Sequence, residues 1–506
     1  DVNITRYWVY GGDENIRNLI LYMDNRFYGN TTAVDQPKPA AKDRPEVVFI
    51  LGGESYIPLF RKAGENSSLN VTVYSSKHLP AELNLTTYDL IFLQMIGAGI
   101  TQIEPAINEA KEKGIPVMII HPGVYGYLGT INMTEHPWVE EYWDNGGIEN
   151  VRRLLTYIGV EFCGINATIE EPLSTPLEGI YHPDSEKLFE NLTEYLEWYK
   201  ATGKYHPNKP TIGIVFYDGH YKTGDIKIEN RIINELEKRE VNTIPTFLYY
   251  KNPDIINKFF IKENETIVDA IISLRCFRFY GRAPEKGIEE LKRLNIPIIN
   301  AIIDYSMTPE EWRESKEGVA AARTPYTIAQ PELDGQIEFI IVGGRAIEPE
   351  TEEIGFRPLE PINEQVDWLV NRTLSWTRLH RLNNSEKKIA IIYYNHGGGK
   401  DNLGASYLDI VPSLKNLLDA MKKEGYDVEV EVPDEKELLD LMLHQGRNIG
   451  TWAPRELEKM VENESLILIP AEEYKSWFNE LPANKREEVI DKWGEPPGKI
   501  MVYENE

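Results

Sequence analysis

The sequence predicts an α/β protein of three parallel-sheet units linked by helical segments. Two observations predict it. Short, mostly apolar runs recur along the chain, and amphipathic stretches of about 10–15 residues separate them, which is the signature of βαβ units. One of these runs also leads directly into a glycine-rich loop and then a helix, the arrangement that brings backbone close to a ligand at a strand's C-terminal end. The expected units are flavodoxin-like or Rossmann-like, with a leading helical segment over 1–44, a first unit with a helical extension over 45–206, a second unit with a helical linker over 207–385, and a third unit over 386–506.

In the first unit, Val47-Val-Phe-Ile-Leu51, Val71-Thr-Val-Tyr74, Leu90-Ile-Phe-Leu93 and Pro116-Val-Met-Ile-Ile120 read as strands, with a helix over Ile103–Lys113. In the second, Thr211-Ile-Gly-Ile-Val-Phe216, Thr243-Ile-Pro-Thr-Phe247, Ala270-Ile-Ile-Ser-Leu274 and Pro297-Ile-Ile-Asn-Ala301 repeat the scheme. Its helix over Glu229–Arg239 sets Ile232, Ile233 and Leu236 on one face. The phrase ending the first unit, Gly-Ile-Pro-Val-Met-Ile-Ile120, parallels Asn-Ile-Pro-Ile-Ile-Asn-Ala301, which suggests two copies of one module. In the third unit, Ile389–Tyr394, Val428–Val432 and Leu466–Ile469 are the expected strands. A helix follows the glycine loop, with Asp409 as N-cap, Val411, Leu414, Leu418 and Met421 as a core face, and Gly425 as the stop. Helical segments over 184–201 and 362–380 join the units.

Composition narrows the function classes. The chain has 54 basic against 81 acidic residues and a formal charge of −27. Such a surface repels nucleic acid and anionic lipid. No apolar run reaches the roughly 18 residues a membrane-spanning helix needs. Cys163 and Cys276 lack partners at metal-ligand spacing, so they are buried thiols or one disulfide. The sequon Asn-x-Ser/Thr occurs at Asn3, Asn30, Asn66, Asn70, Asn84, Asn132, Asn166, Asn191, Asn264, Asn371, Asn383 and Asn463. From the Asn, Ser and Thr content, chance predicts roughly 3 such sites. The excess points to an exported, N-glycosylated protein at the cell surface or outside it, with a signal peptide removed before Asp1; a cytoplasmic chain rich in asparagine is the other reading.

The candidate ligand residues lie at strand ends. Gly397-Gly-Gly-Lys400 is no phosphate-binding P-loop, because Asp401 stands where Ser or Thr is required. Asn395, His396, Lys400 and Asn402 are instead expected to line a crevice. His121, His220 and His396 each follow an apolar run and are the candidate metal ligands, and Glu54 follows the first strand of the first unit.

The block Tyr394-Asn395…Gly399-Lys400-x-Asn402-x-Gly404-Ala405-x-Tyr407-Leu408-Asp409…Pro412-Ser413-Leu414 resembles one found in the large subunits of cobaltochelatase (CobN) and magnesium chelatase. His396, Gly397 and Gly398 depart from it, since the family more often has a Pro-Pro element there. Further pieces are similar in family order: the opening Arg6-Tyr-Trp-Val-Tyr-Gly-Gly-Asp-Glu-Asn15, Gly179-Ile-Tyr-His-Pro-Asp184, Pro331-Glu-Leu-Asp-Gly335 with Ile-Val-Gly-Gly-Arg345, and Trp493-Gly-Glu-Pro-Pro-Gly498. The resemblance implies a protein that handles a tetrapyrrole, corrin or porphyrin, and a divalent metal. It implies ATPase partner subunits and ATP-driven metal insertion in a cytosolic setting. It covers the N-terminal portion of such subunits, and the acidic and histidine residues tied to chelation lie mostly beyond it. Export removes the ATP supply, so the alternative is a binding or structural surface protein built on the same fold, with other surface proteins or further copies of itself as partners.

Overall fold

A computed structural model describes the chain except residues 1–3, 5–6, 9–12, 35–43, 77, 81, 95–99, 249–255, 281–282, 348–355, 395–402, 405, 430, 445–454, 464–465 and 506. The chain divides into two compact units, Asp1–His380 and Arg381–Glu506.

The first unit opens with the helix Asp13–Tyr28 and then builds a parallel sheet from β1 (Glu46–Leu51), β2 (Asn70–Ser75), β3 (Leu90–Gln94) and β4 (Val117–Ile120), in the order β2-β1-β3-β4. β1 is apolar at successive positions because both of its faces are covered. Val47, Phe49 and Leu51 join the core under the helices Ile57–Glu65 and Gly147–Cys163. Val48 and Ile50 join the opposite core, with Ile103, Ile107 and Ala110 of the helix Ile100–Glu112. Each such side chain, fully buried, contributes roughly 1.5–3 kcal/mol.

A second sheet follows, from β5 (Glu178–Ile180), β6 (Thr211–Tyr217), β7 (Asn242–Leu248), the small hairpin β8 (Ile261–Lys262) and β9 (Glu265–Thr266), then β10 (Ala270–Ser273), β11 (Ile298–Ile303), β12 (Ile337–Arg345) and β13 (Leu359–Pro361). Leaving out the separate hairpin, the order is β13-β12-β11-β10-β6-β7-β5. The five central strands are parallel, and β5 and β13 are antiparallel edges. Ile212, Ile214 and Phe216 pack on the helices Lys227–Lys238 and Asn363–Arg381, whereas Val215 faces Leu192, Tyr195 and Tyr199 of the helix Leu192–Ala201. Stripped of its edge strands, the second sheet runs β7-β6-β10-β11-β12. That is the flavodoxin-like order 2-1-3-4-5, and the first sheet repeats its first four positions.

The second unit carries the helices Ile410–Lys423, Glu435–His444, Glu456–Glu462, Ala471–Asn479 and Ala483–Trp493 around a small core of Ile410, Leu438 and Met442. Here particular sequence expectations need correcting. The described residues of 389–394, 428–432 and 466–469 form no strand. Apolar runs specify burial only when something covers them, and Ile392 and Ile467 are each 93% exposed. The expected core face at Val411, Leu414, Leu418 and Met421 is only half-buried, and Asp409 precedes the helix without a side-chain cap bond. Cys163 and Cys276 form no disulfide. Among the described residues no helix is long and apolar enough to cross a membrane.

Candidate functional site

Asn395, His396, Lys400 and Asn402 lie outside the described residues. The chain on either side of them is described. Ile391, Tyr393, Tyr394, Leu408, Leu414 and Leu417 line a largely apolar cavity of about 420 Å³. Gly404 N donates to Tyr394 O at 3.3 Å, which joins the two ends of the loop. A cavity of this size, walled by aliphatic and aromatic side chains, takes an apolar or flat ligand.

In the first sheet, Glu54 is half-buried and accepts from Ser75 Oγ at 3.0 Å. His121 sits at φ 47°, with its Nε2 3.2 Å from Asp144 Oδ1. The hydrogen bond to Asp144 raises the His121 pKa, and partial burial opposes the rise. The Asp144 carbonyl in turn accepts from Lys222 Nζ at 2.7 Å, which ties the helix Pro137–Asn145 to the segment after β6. Trp143 stacks on Tyr56 at 4.2 Å and packs in the core beside Phe60 and Phe92, so its ring is closed to a macrocycle.

His220 follows β6, and both its ring nitrogens are engaged. Nδ1 is 2.6 Å from Glu229 Oε1 and Nε2 is 3.0 Å from Tyr305 OH. Burial works against its charged form, but the Glu229 carboxylate outweighs it and raises the pKa. The expected metal ligand is therefore a partner in a hydrogen-bonded chain, with no ring nitrogen left to ligate. His121 and His220 each face a carboxylate of their own.

The C-terminal edge of the second sheet gathers charge. Strand order reverses between β6 and β10, and a doubly wound sheet opens a crevice at that point. Tyr217 ends β6 and donates to Cys276 O at 3.0 Å. Arg275, two residues beyond β10, is 3% exposed, with its guanidinium 5.4 Å from the Tyr217 ring centroid and 5.8 Å from that of Phe279. Asp304, just past β11, is 2% exposed and lies 3.4 Å from Arg323 Nη1. Arg345 closes β12 and bonds Asp225 Oδ2 at 2.8 Å. Burial pushes the Cys276 thiol up to about 11, although Arg323 and Arg275 pull it down. The sequence reading took Ala270–Leu274 as a strand and passed over Arg275. The signal is an arginine directly after a mostly apolar run, where a charged side chain is carried to the strand's C-terminal end.

A third cluster lies at the opposite end of the second sheet. His182, Asp184 and Glu237 bring ligand atoms within 4.8 Å of one another. Lys204 Nζ is 2.7 Å from Glu237 Oε2 and also bonds Asp184 Oδ2. Tyr199 OH donates to Glu237 Oε1 at 2.9 Å. Burial would raise the Glu237 carboxyl, but these donors hold it at about 2. An ammonium already bridges the two carboxylates, so the cluster is a structural ion-pair hub and is not set up to hold a metal.

The CobN/Magnesium Chelatase family profile matches residues 140–506. An uncharacterized protein of Methanocaldococcus jannaschii is 29% identical over 383 residues, covering 73% of this chain and 30% of that protein. The chloroplastic magnesium-chelatase subunit ChlH of Oryza sativa is 30% identical over 308 residues, covering 57% of this chain and 22% of that subunit. The aerobic cobaltochelatase subunit CobN of a Sinorhizobium species is 24% identical over 363 residues, covering 70% and 27%. Among solved structures, the catalytic subunit of cobaltochelatase from Mycobacterium tuberculosis superposes with a TM-score of 0.60 at 18% identity, covering 91% of this chain and 36% of that one. The chain thus spans less than a third of the length of these curated relatives.

Proposed function

The chain belongs to the CobN/magnesium chelatase family, and on that premise we propose that it handles a tetrapyrrole, corrin or porphyrin, together with a divalent metal. The observation that carries this reading is the apolar cavity of about 420 Å³ flanking the glycine-rich loop, inside the family-matched region. Tyr393 and Tyr394 offer flat faces to a macrocycle. Glycines at 397–399 would let the ring approach the backbone. In this reading Lys400 would pair with an acidic group on the ring edge and His396 would hold the metal, with Asn395 and Asn402 as polar neighbours. Metal insertion itself, driven by ATP through partner subunits, belongs to the longer relatives and extends to this chain only as part of the proposal.

The test is titration of a metal-free and a metal-loaded corrin or porphyrin, followed by absorbance, in the parent and in His396→Ala/Lys400→Ala. Saturable binding that weakens about tenfold in the double variant, one to two lost polar contacts, is the expected result. Tight binding unchanged by the substitutions moves the site elsewhere, and no binding by the parent removes the reading.

We also propose that the protein is exported and glycosylated. Of the eleven described sequon asparagines, all but Asn70 are exposed, which supports the reading. Part of the excess has another physical cause, however. Asn84, Asn132 and Asn191 accept backbone N–H groups as helix caps, and Asn383 forms a capping box with Glu386. Outside a cell there is no maintained ATP pool, so an exported form would bind rather than insert. Intact mass of the native protein decides between the settings: hexose-containing increments support export, and a bare polypeptide mass ends it.

A further inference from the structure

Among the described residues, the C-terminal edge of the second sheet contains one cation without a counter-ion. Charges there pair off: His220 with Glu229 at 2.6 Å, Arg345 with Asp225 at 2.8 Å, Lys222 with Asp218 at 2.8 Å, Arg323 with Asp304 at 3.4 Å. Arg275 is left over. It is 97% buried, counting from its 3% exposure, and its Nε and Nη1 have no hydrogen-bond partner. None of the ion pairs among the described residues involves it. An arginine cannot shed its proton in a protein, and a buried, unpaired charge is costly. The faces of Tyr217 and Phe279 offset part of that cost but supply no acceptor to the N–H groups.

Three further polar atoms at the same edge are also unsatisfied, Asp304 Oδ2, Glu229 Oε2 and Ser273 Oγ. Ser273 ends β10, which lies next to β6 in the sheet, and Asp304 follows β11 on the far side of β10. Donors without acceptors and acceptors without donors, gathered where strand order reverses, describe a site for a ligand that supplies both.

We propose that this edge binds a small carboxylate monoanion that also carries a hydrogen-bond donor, with Arg275 as its anion receptor. The charge count selects the class. One uncompensated positive charge is neutralised by one carboxylate, whereas a phosphate dianion would leave excess negative charge beside the Asp304 and Glu229 carboxylates. The adjacent donor, a hydroxyl or an amine on the same ligand, answers Asp304 Oδ2. This inference stands apart from the tetrapyrrole reading, because it concerns the first unit alone and uses ligands that carry no ring.

The experiment follows the thermal midpoint of the 506-residue chain during titration with lactate, propionate and inorganic phosphate at constant ionic strength, with chloride as the control. A saturable rise of about 2 °C or more with lactate is expected at a hundredfold excess over Kd. Propionate should half-saturate at a concentration about threefold higher or more, for want of the hydroxyl, and phosphate should behave like chloride. In Arg275→Gln the lactate response should disappear. Without ligand, Arg275→Met should melt at or above the parent midpoint, because a buried unpaired charge has been removed. If neither variant folds, discrimination among the anions by the parent decides. Equal responses to lactate, phosphate and chloride overturn the site, as does a lactate response that survives in Arg275→Gln. Macrocycle absorbance is read separately, so either proposal can fail without the other.

Discussion

His182 Nε2 lies 2.7 Å from Glu237 Oε1, while His182 Nδ1 accepts the Asp184 backbone N–H at 3.2 Å. The second contact fixes the tautomer: Nδ1 is the acceptor, so Nε2 carries the proton and donates to the carboxylate. The Tyr-His-Pro-Asp turn after β5 is thereby pinned to the end of the helix Lys227–Lys238, and Glu237 also serves Lys204 and Tyr199.

Replacing Glu237 by Ala strips three donors of one acceptor in a largely buried place. We expect a loss of about 3 kcal/mol or more, read by chemical denaturation. Because the folded-state pKa of Glu237 is depressed to about 2 from 4.5, its stabilisation is present above pH 4.5 and is lost as pH falls toward 2. Glu237→Gln should flatten this acid limb; a limb of unchanged steepness would assign acid sensitivity to other carboxylates.

His220 has the opposite sign. Its pKa is raised above 6.5 by Glu229 despite burial, so its stabilisation is complete below pH 6.5 and declines as pH climbs through the folded value. Denaturation midpoints at pH 6 and pH 8 should differ more in the parent than in His220→Gln. Identical differences in the two proteins would show that the Glu229–His220 pair does not titrate in that window.

Gly344 is fixed by backbone proximity. A Cβ there would stand 2.4 Å from Met307 O, against a main-chain atom that cannot swing aside. The neighbouring Arg345 N donates to that same oxygen at 2.8 Å, so relief would break the bond. Gly344→Ala should cost about 3 kcal/mol. Gly219→Ala, with nothing within 4 Å of its Cβ, should be neutral. Equal stability of the two variants would contradict the packing described for β12.

Glycan mapping separates the sequons from one another. Asn70 starts β2, is only half-exposed, and commits its Nδ2 to Glu46 Oε1 at 2.7 Å. The same nitrogen would have to carry the sugar. In a glycosylating host, Asn66 and Asn166 should be occupied and Asn70 bare. Full occupancy at Asn70 would mean that modification precedes pairing of β1 with β2.

Much of the first unit is legible in the sequence because both faces of its parallel strands are covered, and continuous apolar runs such as Val47–Leu51 and Thr211–Phe216 mark that burial directly. The edge strands Glu178–Ile180 and Leu359–Pro361 escape because three residues carry no period. The runs at 389–394 and 466–469 mislead for the complementary reason. Apolar character reports a wish for cover, not a neighbour to bond with, and Ile392 and Ile467 have found none among the described residues of their unit. Histidines at strand ends suggest metal, but His220 spends a ring nitrogen on Glu229 and His121 faces Asp144. The uncompensated charge at Arg275 depends on which carboxylates pair elsewhere, and that is decided only by the assembled edge.

The two sheets share a strand order yet treat their reversal points differently. In the first, Gln94 at the end of β3 turns its Oε1 back onto the amides of Gly52 and Gly53, at 3.1 and 2.9 Å, and is itself wholly buried. The first module thus satisfies the amides at its reversal point, while the second leaves the buried Arg275 Nε and Nη1 without an acceptor. Trimming Gln94 to alanine is therefore the change that would leave the first module's reversal point with two amides in want of an acceptor, as Arg275 is in the second.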